Sequence, residues 1–387
     1  MRNACVAVLV VVFSRRVAAG VCACLAGCGD ARSTAHPITL RLKSTTDLAL
    51  IAFRDGTDAP WQTPVATVPG RYEFAVHGPY AVEDVCIVAD NVTTLELLRT
   101  PDDPSDLDVS CLFSSTPPAL SHVTGSMGTQ GLAEIAAAYM PVGTDGAFDL
   151  MVPDGTYDLI ARTPSPVSSQ DRIAIRRGVV VAGATHVGAI DMASEGIAMV
   201  SVEPMVANLA DGESYTVTGR LTTPTTSIRM TFDQPEAHVL PDAALRPGDE
   251  QWLDTAASTT RGQRSVSRRY AQGSSLAFTL PPPLVVQYTT AGEPVATWKS
   301  LPAFDELRFG IGQADANSAG LFVEHFVDLS PSYVATGATR ASFDTDLPGY
   351  VPAWRTEITR AWLRDVEATR TDGGDVLAWF YSDEVSP

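Results

Sequence analysis

Apolar and polar residues alternate with a period of two along most of this chain. Ile38, Leu40 and Leu42 alternate with Thr39, Arg41 and Lys43, and Tyr72, Phe74 and Val76 alternate with Arg71, Glu73 and Ala75. A strand turns successive side chains to opposite faces, so the pattern predicts half-buried β-strands. Residues 48–53, 85–88, 92–98 and 109–113 add short apolar runs, bounded by the Pro, Gly and Asp of turns. Residues 37–115 therefore predict a β-sandwich of about seven strands, and Pro117-Pro118 separates it from the second module.

The stretch 118–195 carries the clearest local signal. Phe148, Leu150 and Val152 point one way, Pro153-Asp154-Gly155 supplies a turn, and Tyr157, Leu159 and Ala161 return on the same face. This predicts a hairpin, with Val123-Thr124-Gly125 as a first strand and 179–181 and 187–190 as the last strands. Over about residues 120–193 the stretch resembles the carboxypeptidase-regulatory-like family. The resemblance implies a transthyretin-like (prealbumin-type) sandwich acting as an accessory module. No carboxypeptidase catalytic domain accompanies it, and no His is followed by Glu at His-x-x-Glu spacing.

Strand patterning continues through 197–283, although 241–273 holds few apolar residues and reads as loop. Pro281-Pro282-Pro283 ends that module as a stiff linker or an edge. In 284–387, Trp298 followed by alternating Leu307, Phe309 and Ile311 weakly resembles the start of a fibronectin-type-III-like sandwich. Residues 321–329 predict a strand, and Asp372-Gly373-Gly374 predicts the turn between two final strands. Trp354, Ile358, Trp362 and Val366 fit a helical stripe, so a short helix is expected before those strands. The fold class expected is all-β: tandem Ig-like or prealbumin-like β-sandwich modules behind a signal peptide.

That signal occupies residues 1–27, basic and then apolar, and ends in Leu25-Ala26-Gly27-Cys28. The four residues closely resemble the bacterial lipobox, which implies cleavage before Cys28 and lipid on its sulfur. Ser14-Arg15-Arg16 interrupts the apolar run. A translation start near Val12, a long signal as written, or a twin-arginine signal each accommodates the interruption. No uninterrupted run reaches the roughly 20 apolar residues a spanning helix needs, so the expected anchor is lipid alone. Residues 28–36 read as a tether. Cys5, Cys22 and Cys24 leave with the signal, which leaves Cys86 and Cys111 as an even pair in an oxidising compartment. A disulfide between them is expected.

Composition changes the picture mainly by exclusion. The 387 residues carry a net charge of −18, which falls to −21 once Arg2, Arg15 and Arg16 leave with the signal. Such a chain does not seek nucleic acid or anionic head groups by electrostatics. A Gly-x-Ser-x-Gly elbow, a His-Glu-x-x-His pair and a phosphate-cradling loop are all missing. The histidines at 36, 77, 122, 186, 238 and 325 are scattered, so neither a metal nor a cofactor is expected. Three candidate sites remain. Asp102, Asp103, Asp106 and Asp108 form an oxygen-rich loop, a candidate for calcium or a solvated acidic turn. Arg261, Arg264, Arg268 and Arg269 form a basic patch, a candidate for anion binding or a loop face paired with acids. Trp252, beside Asp249 and Glu250, is the aromatic expected to be most exposed. The expected function is a non-enzymatic cell-envelope lipoprotein, most simply of the outer membrane and facing periplasm or cell surface. It would display its modules to a protein or glycan partner. A carbohydrate- or glycolipid-binding protein is the second reading, and a hydrolase with its site in the 241–273 loops the third.

Overall fold

A computed structural model describes residues 34–43, 48–56, 58–88, 91–109, 119–136, 138–163, 172–230, 236–259, 262–289, 294–314, 322–343 and 362–385. Seven strands come first: β1 (His36–Leu42), β2 (Leu48–Asp55), β3 (Val65–Val68), β4 (Arg71–Val76), β5 (Tyr80–Val88), β6 (Asn91–Arg99) and β7 (Asp106–Val109). The second group is β8 (Leu120–Ser126), β9 (Gly131–Ile135), β10 (Ala138–Val142), β11 (Ala147–Pro153), β12 (Gly155–Thr163), β13 (Arg172–Val181), β14 (Thr185–Ala189) and β15 (Ile197–Ala198). The third group is β16 (Val200–Val202), β17 (Met205–Ala207), β18 (Ser214–Thr222), β19 (Ser227–Arg229), β20 (Ala237–Val239), β21 (Glu250–Ser258), β22 (Gly262–Tyr270) and β23 (Ala277–Thr279). The last is β24 (Val286–Thr289), β25 (Val295–Trp298), β26 (Glu306–Ala314), β27 (Phe322–Leu329), the short helix α1 (Pro331–Ala335), β28 (Arg340–Ser342), β29 (Trp362–Asp372) and β30 (Asp375–Val385). The chain is all-β, built as layered sheets, as the period-two pattern predicts.

One sheet of 11 strands, ordered β19-β18-β21-β22-β30-β29-β26-β27-β6-β5-β2, runs across the module boundaries drawn from sequence at 115/118 and 283/284. Two seams join it. β22 pairs antiparallel with β30 from Gly262↔Tyr381 to Arg268↔Asp375. β27 pairs parallel with β6 from Val323↔Val92 to Leu329↔Leu98. Smaller sheets cover it. The sheet β3-β4-β1-β7 packs on Tyr80, Val82, Leu95 and Leu97 to make the first core. The sheet β24-β25-β28 packs on Phe309, Val327, Leu329 and Trp379 to make the fourth core, numbered with its group of strands, which takes in Ala81 and Leu98 as well. Tyr80, Val82, Leu95 and Leu97 alternate with Ala81 and Leu98 along β5 and β6. The two cores therefore lie on opposite faces of the shared sheet. Burial on both faces is the setting parallel pairing favours, and β6 is buried without a break from Thr93 to Leu98.

The second group keeps its own sandwich. Its sheets are β10-β9-β12-β13-β15 and β11-β8-β14, with Val123, Phe148, Leu150, Leu159 and Ala161 in the core between them. The face assignment made from sequence holds, but the hairpin does not. β11 pairs with β8 while β12 pairs with β9 and β13, so the Pro153-Asp154-Gly155 turn carries the chain from one sheet to the other. Asp154 holds that crossing by accepting hydrogen bonds from Ser121 Oγ (2.6 Å) and Gly183 N (3.1 Å). A Cβ at Gly155 would lie 2.7 Å from the Tyr157 hydroxyl, so a larger residue there would have to displace the Tyr157 ring.

Two further expectations are corrected. The loop-like stretch 241–273 contains the long β21–β22 hairpin, which pairs from Gln251↔Tyr270 to Ser258↔Gln263. Its inward positions include Gln251, Thr255 and Arg264, polar residues that conceal the alternation, and Gln251 satisfies itself on Leu240 N (2.6 Å) and O (2.8 Å). The helical stripe ends in a strand, because Val366 is buried on β29, paired with Phe309. Trp354 and Ile358 lie outside the described residues. The predicted Asp372-Gly373-Gly374 turn does join β29 to β30.

Asp84 is an exception inside the first core. It lies between Ile51 and Leu95 in register, and burial pushes its carboxyl up to about 8, with the charge of Asp328 adding to the shift. A raised carboxyl stabilises the fold below its unfolded pKa and loses that stability as pH rises through the folded value. Asp84→Asn should therefore remove a fall in thermal midpoint between about pH 5 and 9, leaving the variant more stable by several degrees at the alkaline end. Thermal melts of both proteins across that range check this, and parallel curves would contradict it.

Candidate functional site

The sequence-predicted sites disperse on folding. Arg261 lies outside the described residues. Arg264 is buried and donates to Glu213 Oε1 (2.9 Å), Glu213 Oε2 (2.5 Å), Asn208 O (2.7 Å) and Pro281 O. Arg268 makes a two-pronged pair with Asp375 (2.6 and 2.5 Å). Arg269 meets Glu250 at 3.2 Å, and its position on β22 sets it on the opposite face from the other two. The described arginines of the patch are thus each closed by a carboxylate, and they do not form a shared anion site.

The four aspartates diverge in the same way. Asp106 pairs with Arg41 (3.0 Å) and Asp108 with Lys43 (3.7 Å). Asp103 accepts from Thr100 N (2.7 Å), Ser330 Oγ (2.7 Å) and Ser332 Oγ (2.6 Å), which ties the 100–103 turn to the N-terminus of α1. Calcium needs six to eight oxygens converging on one point. Among the described residues no group of three His, Cys, Asp or Glu side chains is arranged to hold a metal ion. Trp252 is half-buried rather than open, with the Arg220 guanidinium 5.3 Å from its ring centre and Nε1 donating to Glu250 (3.3 Å).

A polar strip lies inside the fold on the β24-β25-β28 side of the shared sheet. Arg54 donates to Glu96 (2.7 Å), Glu83 sits opposite Glu96 in register, and His325 Nε2 lies 4.0 Å from Glu96. Burial lowers the His325 imidazole to about 3, with the charge of Arg54 acting in the same direction. A histidine held neutral there is too weak a base for proton transfer near neutrality. The strip is a structural ion-pair network at the edge of the fourth core.

A different arrangement occurs where the second and third groups of strands meet. In register, Tyr139 stands opposite Glu134, Pro141 opposite Leu132, Ile160 opposite Glu134 and Arg162 opposite Leu132. Residues directly opposite share a face, so β10, β9 and β12 present one outer surface. Ile160 and Ile173 on this surface enter the third core beside Val217, Ile228 and Met230. Past them the surface opens into a cleft of about 620 Å³, floored by Leu132, Glu134, Tyr139 and Pro141 and walled by Arg162, Arg220, Ser227 and Arg229.

Polar pins hold wall to floor. Thr225 Oγ1 accepts from Asp158 N (2.7 Å), while Thr226 Oγ1 accepts from Ala136 N (3.0 Å) and donates to Asp158 O (2.5 Å). Arg162 donates to Met230 O. Arg177 reaches both Asp158 (2.9 Å) and Asp249 (2.8 and 2.5 Å). Two guanidinium groups of the cleft are already engaged, Arg162 on that carbonyl and Arg220 on Asp254 (2.8 and 3.1 Å). Arg229 is exposed and has no ion-pair partner among the described residues. Burial raises the Glu134 carboxyl to about 7, against the pull of Arg162 and Arg229. Tyr139, on the edge strand, is 70% exposed. The cleft thus combines an uncovered ring, a guanidinium without an ion-pair partner among the described residues, and a carboxyl that changes charge near neutrality.

Sequence reasoning passed over these residues. Tyr139 and Arg229 carry no local signal, since only the pairing of β10 with β9 and of β19 with β18 brings them to one place. Arg162 did leave a trace, as a charge ending the buried run Leu159-Ile160-Ala161. No protein-family model matches the chain, and no curated protein is similar to it.

Asp249 is buried, so removing Arg177 strands a carboxylate against Asp158. Breaking one side of a buried ion pair costs about 3–5 kcal/mol, and Arg177 is itself partly exposed, which puts the expected loss at or below the lower end. Arg177→Gln should lower the thermal midpoint by a few degrees and speed proteolysis near residue 249. An unchanged melt and digest would show that the pair does not hold the cleft together.

Proposed function

We propose that this chain is a lipid-anchored, non-enzymatic protein of the cell envelope, whose fused sandwiches act as a rigid platform presenting the cleft at Tyr139, Glu134 and Arg229 to a ligand. The observation that carries the binding reading is the chemistry of that cleft, whereas Arg264 and Arg268 of the basic patch are paired with Glu213 and Asp375. Its volume lies within the roughly 300–1,000 Å³ common for ligand sites. Support for export and anchoring comes from the lipobox at residues 25–28, and Cys28 itself lies outside the described residues. Among the described residues no helix is long and apolar enough to cross a membrane. The carboxypeptidase-regulatory-like resemblance of 120–193 fits an accessory sandwich beside other modules. The Cys86–Cys111 disulfide belongs to the same extracytoplasmic reading. Cys86 is buried on β5, while Cys111 lies outside the described residues.

A carbohydrate-binding role is the second reading, favoured by the exposed Tyr139 ring. The hydrolase reading placed its site in 241–273, much of which is the β21–β22 hairpin.

Cys28→Ala should move the protein from the membrane to the soluble fraction after export, and retention in membranes would contradict a lipid-only anchor. Mass spectrometry of the mature protein without reductant should find Cys86 and Cys111 in one linked peptide. Alkylation of both without reduction would rule the disulfide out.

A further inference from the structure

We infer that the cleft binds an acidic sugar, a pyranose ring carrying a single carboxylate, with Tyr139 stacked beneath the ring and Arg229 on the carboxylate. This rests on the reading of the cleft as the ligand-facing site and names the chemistry of its ligand. Tyr139 offers a flat apolar surface at the cleft mouth, continued by the Leu132–Pro141 pair in the next register. The CH face of a pyranose matches such a surface, whereas its hydroxyl rim needs hydrogen-bonding partners. Glu134 and Ser227 line the cleft where that rim would lie.

Charge selects among ring ligands. Arg220 is neutralised by Asp254 and Arg162 is committed to the Met230 carbonyl, so among the described residues lining the cleft Arg229 remains for an anion. A guanidinium fork matches one carboxylate. A phosphate monoester, with more than one negative charge near neutrality, would exceed the charge of that one guanidinium, in a chain of net charge −18. A neutral sugar would leave Arg229 unused.

Glu134 then makes binding pH-dependent. The charged and titratable groups facing it are Arg162 from β12, Arg220 from β18, Arg229 from β19 and Tyr139 from β10. As pH rises through neutrality Glu134 becomes an anion beside the bound carboxylate, so affinity falls on the alkaline side. Glu134→Gln removes the fall.

Isothermal titration of the full-length protein in detergent, with glucuronate, galacturonate, glucose and glucose 6-phosphate at pH 6 and 8.5, tests the inference. The expected result is saturable binding of a uronate at pH 6, with glucose and glucose 6-phosphate at least about tenfold weaker. Tyr139→Ala and Arg229→Gln should each weaken it about tenfold without moving the thermal midpoint. Glucose or glucose 6-phosphate bound more tightly than the uronates, and lost in the same two variants, would overturn the ligand class and leave the site standing. Uronate binding that neither variant changes, or no binding of any of the four, would overturn the inference together with the site.

Discussion

Unsatisfied backbone at a sheet edge is the constraint on which this structure turns. Each of three sandwiches, built separately, would expose edge strands whose N–H and C=O groups need partners. Here the edges satisfy one another. β22 closes on β30 and β27 closes on β6, so one hydrogen-bond ladder passes through strands that begin at Leu48 and end at Val385. The apolar layers follow from that ladder. Ala81 and Leu98 serve the fourth core while their neighbours Tyr80, Val82 and Leu97 serve the first, and Leu377 packs against both the third and the fourth.

The second sandwich is attached by other means. Among the described residues it adds no strand to the long sheet. Ile160 and Ile173 insert into the third core, and the 223–226 turn and Arg177 pin the contact with hydrogen bonds and charge. The cleft lies beside that contact, lined by β9, β10 and β12 from the second sandwich and by β18 and β19 from the third group. The long sheet is joined through the backbone, whereas the second sandwich is docked through side chains.

How much of this the sequence discloses depends on the range of the interaction. Strands such as β1, β4 and β26 are visible because every second residue is apolar, and burial alternates along β1 and β4 as expected. The Phe148–Val152 and Leu159–Ala161 faces were legible for the same reason. β21 and β22 were not, because Gln251, Thr255 and Arg264 occupy inward positions and meet their needs through partners far along the chain. The seams leave no trace in local pattern, since Val92 meets Val323 across more than two hundred residues. The cleft is hidden twice over. It joins residues of three strands from the second sandwich with two from the third, and charged residues near it look alike in sequence whether they are spent, as Arg220 is on Asp254, or uncommitted, as Arg229 is.

Hydrogen exchange read by mass spectrometry tests the continuity of the ladder most directly. If β6 and β27 lie inside one sheet, amides of 92–98 and 323–329 exchange as slowly as those of β5 and β26, and they open together with them. Fast exchange in these two segments, at rates of solvent-exposed edges while β5 and β26 stay protected, would contradict the shared sheet and return the molecule to separate sandwiches on a string.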